Sequence, residues 1–418
     1  MAMRPRSMKK STPSKRALVL AGGGISGAVY EIGALRAIDD LLTTLSINDF
    51  DMYVGTSAGS LISSCLANGI TTRELLRILE GALPDAKRLQ RDQILALNLR
   101  GLIKRGRRLP RLLAQRAIET LRRPQDFAPL DWAWKLLEGL PNGIYSTNSL
   151  ERYLRHFLTE RGSNHFAELQ RELYIVATEL DSGDRAVFGE GNLRNVPISA
   201  AVAASSAMPI VYEPVRINGV DYIDGGVRGT ASLDVAIDRG AKLIVCVNPL
   251  VAFDNRKHQL GSRIADAGIQ AIGNQVFRTF IQAGLHYHIK KLRQQHPDVD
   301  IILIEPRADD AIVFAEHVLH YDERMLLARH GYESATIRLA DKYQDYKAIL
   351  AKHGVQISRQ RVAKELHHLF ASDDADTLHS LLENDPNGKR LTHPQKSWRT
   401  VNLAHTLDDL DARLGNLE

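Results

Sequence analysis

Two short apolar runs, each stopping at glycine and passing into residues with helical spacing, constrain this chain more than any other feature. The first, Ala17–Ala21, ends at Gly22–Gly24 and is followed by Ile32, Leu35, Ile38 and Leu42 within a stretch from Ala28 to Leu42. The second, Asp51–Val54, enters the sequence GTSAG and then a helical pattern through Ala67. Strand, glycine turn and helix, repeated twice within the opening residues, begin a parallel α/β sheet. The expected fold is therefore a central, mainly parallel sheet flanked by helices.

Later segments extend the pattern. Strands are expected at Glu172–Thr178, Val211–Ile217, Val220–Ile223, Ala241–Val247 and Val299–Ile304, with helices over Arg263 to Gln294 and onward to about Lys352. The 418 residues suit one large α/β unit with an appended piece. The reading is a basic flexible tail over 1–16, an α/β domain over 17–350 and a helical extension over 351–418. Residues 84–141 interrupt the α/β rhythm as a basic, Leu-rich helical insertion. Cys65 and Cys246 are the only cysteines, so a disulfide scaffold or a Cys-based zinc site is excluded on count. No apolar stretch reaches the length of about eighteen residues needed to span a bilayer. The first sixteen residues carry six Lys/Arg and no acid, with no apolar core of a signal peptide behind them. A cytoplasmic address is the expectation.

Three motifs carry chemistry, and a fourth accompanies them. Gly22–Gly27 reads GGGISG, and backbone N–H groups free of Cβ at a helix start make an anion site. It fits a dinucleotide loop, an oxyanion loop or a plain tight turn. A dinucleotide site wants an acid closing the next strand, whereas here Asp49 and Asp51 stand at that strand's start. Gly55–Gly59 is a G-x-S-x-G with Ser57 at its centre, between a strand and a helix. Such a turn strains the serine backbone, projects Oγ from the strand end and sets it at a helix N-terminus. Asp224, Gly225 and Gly226 close the strand Val220–Ile223. In isolation that aspartate reads first as a turn residue at a strand exit, and a catalytic role rests on the motifs that accompany it. The run Ala200 to Pro209, after Pro197, reads as a small-residue helix that lets the sheet approach closely and has no chemistry of its own.

Taken together and in this order, these motifs resemble the patatin-like phospholipases, with their G-G-G-x-[R/K]-G loop, G-x-S-x-G serine, A-S-x-A-x-P stretch and D-G-[G/A] aspartate. Here they stand as Gly22–Gly27, Gly55–Gly59, Ala204–Pro209 and Asp224–Gly226. The resemblance implies a serine hydrolase of lipid or phospholipid carboxylic esters. It implies Ser57 as nucleophile, Asp224 as proton acceptor and an oxyanion hole from Gly22, Gly23, Gly24, Gly27 and Ala58. Gly55, Gly59, Gly225 and Gly226 are the motif glycines, and no metal or cofactor is required. One departure is Ser26, where the family's loop usually carries a basic residue.

Three other readings compete. A Ser-Asp-His triad is possible on count, since thirteen of fifteen histidines lie after residue 250. His286 and His288, two apart, would face different sides of one helix. A nucleotide-binding protein would use Gly22–Gly27 alone. A non-enzymatic lipid-surface module would rest on the insertion, which carries twelve Lys/Arg against Asp92 and Glu119 between Lys87 and Arg123. Ile94, Leu95, Leu97, Leu99, Leu102 and Ile103 precede Lys104, Arg105, Arg107 and Arg108, and Trp132 and Trp134 follow. A basic amphipathic segment of this kind, over 94–123, suits an anionic membrane surface or a lid. No nucleic-acid partner is expected.

Overall fold

The structure, a computed structural model, describes residues 14–81, 94–98, 103, 142–256, 263–310 and 324–358. Most of the basic tail and insertion and nearly all of the C-terminal extension, with the lid and membrane expectations attached to 94–123, lie outside the described residues. Two compact units divide the chain, residues 1–357 and 358–418, and the description that follows concerns the first.

The strands are β1 (Arg16–Leu20), β2 (Met52–Thr56), β3 (Ala96–Leu97), β4 (Gly143–Ser146), β5 (Glu172–Glu179), β6 (Arg185–Phe188), β7 (Ile210–Tyr212), β8 (Val215–Ile217), β9 (Val220–Asp224), β10 (Leu243–Val247) and β11 (Asp300–Ile304). The helices used below are α1 (Gly24–Leu41), α2 (Ala58–Ala67), α3 (Thr72–Glu80), α4 (Asn148–Arg161), α5 (Ile198–Ser205), α6 (Leu233–Asp238), α7 (Gly268–Gln295), α8 (Arg324–Asp341) and α9 (Tyr343–Lys352).

Strands β11, β10, β1, β2 and β5 lie side by side in that order and are parallel throughout. Successive buried positions along β1, β2 and β10 mark strands covered on both faces. Alternate side chains go to opposite layers. Ile244, Cys246 and Ile301 join Ala17, Val19, Met52 and Val54 in a core with α6 and with Leu285, Ile289 and Leu292 of α7. Val245, Ile302 and Ile304 face the other way, against Ile38 of α1, Leu339 of α8 and Leu350 of α9. The chain leaves β1 for β2 on one side and later returns to place β10 on the other. That reversal puts a crevice at the C-terminal end of β1, where open α/β sheets bind ligands.

Beyond β5 the sheet turns antiparallel. One edge of β5 carries β6, with Val176 opposite Val187 and Ala177 opposite Ala186. The other edge is shared end to end: β2 occupies it up to Thr56 opposite Val176, and β9 arrives from the opposite direction with Asp224 opposite Ala177. Two strands therefore meet head to head on one edge.

Three expectations are corrected. The single strand at Val211–Ile217 is two: β7 pairs with β4 in a small second sheet, while β8 pairs with β9 in the main one. The break falls at Glu213 and Pro214, where proline has no N–H to continue a ladder. The long helix is preceded by a short 3-10 turn over Ile264–Ala267 before α7 begins at Gly268. The stretch running to Lys352 is broken at Lys342 into α8 and α9.

Candidate active site

Ser57 sits between β2 and α2 with φ 52° and ψ −121°, a left-handed conformation unusual for a residue with a side chain. Close packing makes the turn possible. A Cβ on Gly55 would lie 2.5 Å from the Gly59 carbonyl oxygen, and one on Gly59 would overlap the Leu20 carbonyl. The two glycines of G-x-S-x-G thus let helix α2 start directly against strands β1 and β2.

The head-to-head meeting of β2 and β9 delivers the second group. Ser57 Oγ donates to Asp224 Oδ2 at 2.5 Å, across 167 positions of sequence. Asp224 Oδ1 accepts from the Gly226 N–H at 2.7 Å, so the DGG turn holds the carboxylate's far oxygen. Both Ser57 and Asp224 are buried. Burial pushes the Asp224 carboxyl up to about 6, against the opposing pull of the hydrogen bonds from Ser57 and Gly226. Among the described residues no histidine is hydrogen-bonded to either side chain. His286 instead meets Glu305 at 2.8 Å, a hydrogen bond that raises its pKa. His288 stands 3.9 Å from Asp234 and is lowered by burial.

Sequence reasoning missed Ser205. This buried serine at the end of α5 accepts the Ser57 N–H at 2.8 Å and donates to the Val176 carbonyl at 2.6 Å. It bridges the elbow to the strand beside it. The serine of the A-S-x-A-x-P stretch was visible in the sequence, but its two partners are backbone atoms. Ser60 Oγ adds a 2.6 Å bond to the Ser57 carbonyl.

The predicted loop donors differ in what they already hold. Gly22 N–H is bonded to Thr230, at 2.9 Å to its carbonyl and 3.0 Å to Oγ1. Gly27 N–H closes the first helical turn on the Gly23 carbonyl at 3.0 Å. Gly23 is the N-cap of α1, and Gly24 begins the helix with φ 62°. Amides at this position and at Ala58, the first residue of α2, have no intrahelical acceptor. The Gly22 Cα lies close enough that a Cβ there would be 3.3 Å from Ser57 Cβ, so loop and serine adjoin. Pro249, after β10, packs against Gly23 and Gly27 from the other side.

An apolar cleft encloses about 1010 Å³ beside Ser57, open solvent at its mouth included. It runs along α2 past Ala58, Leu61 and Ile62 to Cys65, and α3 and α4 supply Leu79 and Phe157 to its walls. Eight residues of helix from Ser57 to Cys65 span about 12 Å. Among the described residues no group of three or more His, Cys, Asp or Glu is placed to hold a metal ion. Among them, too, no helix is long and apolar enough to cross a membrane.

The chain is similar to known proteins over its α/β portion. A protein of Invertebrate iridescent virus 6 described as probable lipid hydrolase 463L is 24% identical over 240 residues, covering 56% of this chain and 67% of its own length. The uncharacterized protein YqhO of Bacillus subtilis (strain 168) is 24% identical over 225 residues, or 50% of this chain and 62% of that one. This chain thus spans about two thirds of the length of these relatives. Among solved structures, VipD from Legionella pneumophila aligns with 79% of this chain and 67% of its own, at 14% identity and a TM-score of 0.36. Residues 18–237, more than half the chain and inclusive of all four motifs, match the sequence pattern of the patatin-like phospholipases, and the protein belongs to that family.

Proposed function

We propose that this protein hydrolyses carboxylic esters of lipids, with Ser57 as nucleophile and Asp224 as its general base. The observation that carries this reading is the 2.5 Å hydrogen bond from Ser57 Oγ to Asp224 Oδ2 at the head of an apolar cleft. Oγ attacks the ester carbonyl carbon while its proton passes to Asp224. The tetrahedral oxyanion collapses and breaks the bond to the leaving alcohol, which takes that proton. Water then attacks the acyl-serine, gives a proton to Asp224 and releases the fatty acid. The same proton returns to Ser57 Oγ.

A free aspartate is a weak base near neutral pH, with a pKa of about 3.9. The rise at Asp224 to about 6 brings it closer to the working range. Electrostatic stabilisation must still supply much of the acceleration. With the Gly22 and Gly27 amides already bonded, the reading assigns the oxyanion to Gly23, Gly24 and Ala58 N–H groups. Such donors are worth about 3–4 kcal/mol each. The cleft wall is mainly apolar, with Ser57, Ser206 and two tyrosines among its lining, which fits an acyl chain better than a dinucleotide.

Lipid-product analysis tests the reading. Wild type should release fatty acid from phospholipid or acylglycerol, and Ser57→Ala and Asp224→Asn should each lose at least about a thousandfold in kcat. Single replacements of His286 and His288 should leave kcat intact. Product release by Ser57→Ala at the wild-type rate would overturn it.

A further inference from the structure

Helix α7 is amphipathic in the wrong direction over its first four turns. In a surface helix the apolar stripe ordinarily faces the protein. Here the inward side is mostly polar, with Asn274, Gln275, Arg278 and Gln282 beside half-buried Ala271 and Ile281. Gln275 accepts the Phe253 N–H at 3.0 Å and donates to the Phe253 carbonyl at 2.8 Å, and Gln282 accepts the Ala252 N–H at 3.0 Å. Arg278 is buried and donates to Asn274 at 3.1 Å. The outward side carries Ile269, Ile272, Val276, Phe277 and Phe280, with Tyr287 two turns on. Ile269 is 89% exposed, Phe280 75% and Tyr287 72%. Only further along do Leu285, Ile289 and Leu292 turn to the sheet in the ordinary way. Hydrogen bonds to residues 252–253 at one end and the burial of Leu285, Ile289 and Leu292 at the other hold the rotation that leaves isoleucine and phenylalanine in water. Exposed apolar side chains gathered on one face mark an interaction site, whereas scattered ones need no explanation.

Charge selects the occupant. The 28 residues of α7 hold no Asp or Glu, and its charged side chains are Arg278, Lys290, Lys291 and Arg293. Lys290 and Lys291 are exposed, while Arg293 bonds the Ile301 carbonyl at 2.9 Å. Acids on neighbouring segments are committed: Asp266 to Arg263 and Asp254 to Arg256. The face therefore offers aromatic and aliphatic side chains followed by uncompensated lysines. A second copy of α7 would bring no negative charge to them. An anionic bilayer supplies both phases, and an apolar helix face flanked by lysine is how a helix lies in such an interface.

Position fits the same partner. The segment to which Gln275 and Gln282 are tied begins at Pro249, which packs on Gly23 and Gly27 beside Ser57. The apolar half of α7 thus stands at the same end of the sheet as the serine. We propose that the outer face of α7, from Ile269 to Tyr287 with Lys290 and Lys291, docks this protein on anionic lipid bilayers. The proposal rests on the lipid-ester reading only for its purpose. Docking itself needs no catalysis.

The test uses full-length Ser57→Ala protein, so that binding is read without turnover, and vesicles of phosphatidylcholine with or without phosphatidylglycerol. Co-sedimentation should require phosphatidylglycerol and weaken with salt. Ile269→Ser/Ile272→Ser/Phe280→Ser should reduce the partition coefficient at least about tenfold, since three apolar side chains no longer leave water on docking. Lys290→Gln/Lys291→Gln should reduce it by a smaller factor and flatten the salt dependence. In the Ser57 background, both variants should hydrolyse a soluble short-chain p-nitrophenyl ester at the wild-type rate, which also reports an intact fold. Unchanged vesicle binding in the triple variant would overturn the proposal. So would a dimer in sedimentation velocity that the triple variant converts to monomer, because the face would then belong to a second copy. Loss of ester hydrolysis in Ser57→Ala bears on the catalytic reading alone.

Discussion

The backbone N–H of Ser57 donates to Ser205 Oγ, and the same hydroxyl donates its own hydrogen bond to the Val176 carbonyl. One side chain thereby fixes the strained φ of Ser57 against the strand that also carries Asp224 in register. The Ser57 amide is committed to structure, so on the proposed chemistry the oxyanion falls to the amides of the neighbouring turns.

Replacing Ser205 by alanine should therefore orphan two buried backbone groups and loosen the elbow. We expect a stability loss of about 1–3 kcal/mol, read by urea unfolding. We also expect kcat on a p-nitrophenyl ester to fall at least about tenfold with little change in KM, as for a positioning residue. An unaltered kcat in a folded Ser205→Ala protein would remove that role.

Activity should follow the ionisation of Asp224. The general base must be deprotonated to accept the Ser57 proton, so kcat/KM should rise with pH and level off above about 6. Below that value it should fall about tenfold per unit. A limb centred near 4 would mean that burial does not raise this carboxyl in solution.

The same shift has a stability consequence of definite sign. Asp224 has a folded pKa above its unfolded one, so its contribution is fully favourable below about 4 and is lost as pH rises through about 6. Charged Asp224 then costs up to about 3 kcal/mol at pH 8, by the linkage of 1.36 kcal/mol per unit. Asp224→Asn, which keeps the acceptor for Gly226 N–H, should be more stable than wild type at pH 8 and equal to it near pH 4. Urea midpoints at the two pH values measure this. Parallel curves would contradict it.

How much of this was legible in the sequence follows from the physics of each part. The parallel core was readable because β1, β2 and β10 are buried on both faces and so are largely apolar runs without strict alternation. The turn at Ser57 was readable because its close approaches demand glycine at 55 and 59. The division of β7 from β8 was not, since alternation continues on both sides of Pro214 and only the partner strands differ. Ser205 was hidden because a serine bonded to backbone atoms looks like any small residue in a packed helix. In α7 the periodicity shows two faces but not which one is turned to the protein. Two glutamines reaching the Ala252 and Phe253 backbone, together with Leu285, Ile289 and Leu292 on the sheet, decide that.

Chain-length preference should be set along α2. Cys65 stands two turns from Ser57 at the far part of the cleft, and its thiol is buried and pushed up to about 12 by that burial. Cys65→Phe should fill that part, at a stability cost of about 1–3 kcal/mol for overpacking. Hydrolysis of long-chain esters should drop at least about tenfold while short-chain esters are cleaved as before. Equal losses on both would place the acyl chain elsewhere.

The head-to-head meeting of β2 and β9 on one edge of β5 also has a bearing on biosynthesis. The serine turn and the glycine loop leave the ribosome early, but the carboxylate enters only after β5 has formed and β9 has closed onto its remaining edge. A nascent or truncated chain lacking β9 carries an exposed serine with no proton acceptor. On the proposed chemistry, such fragments are inert toward the membranes of the cell that makes them, and the capacity to cut lipid waits on a contact that spans 167 positions of sequence.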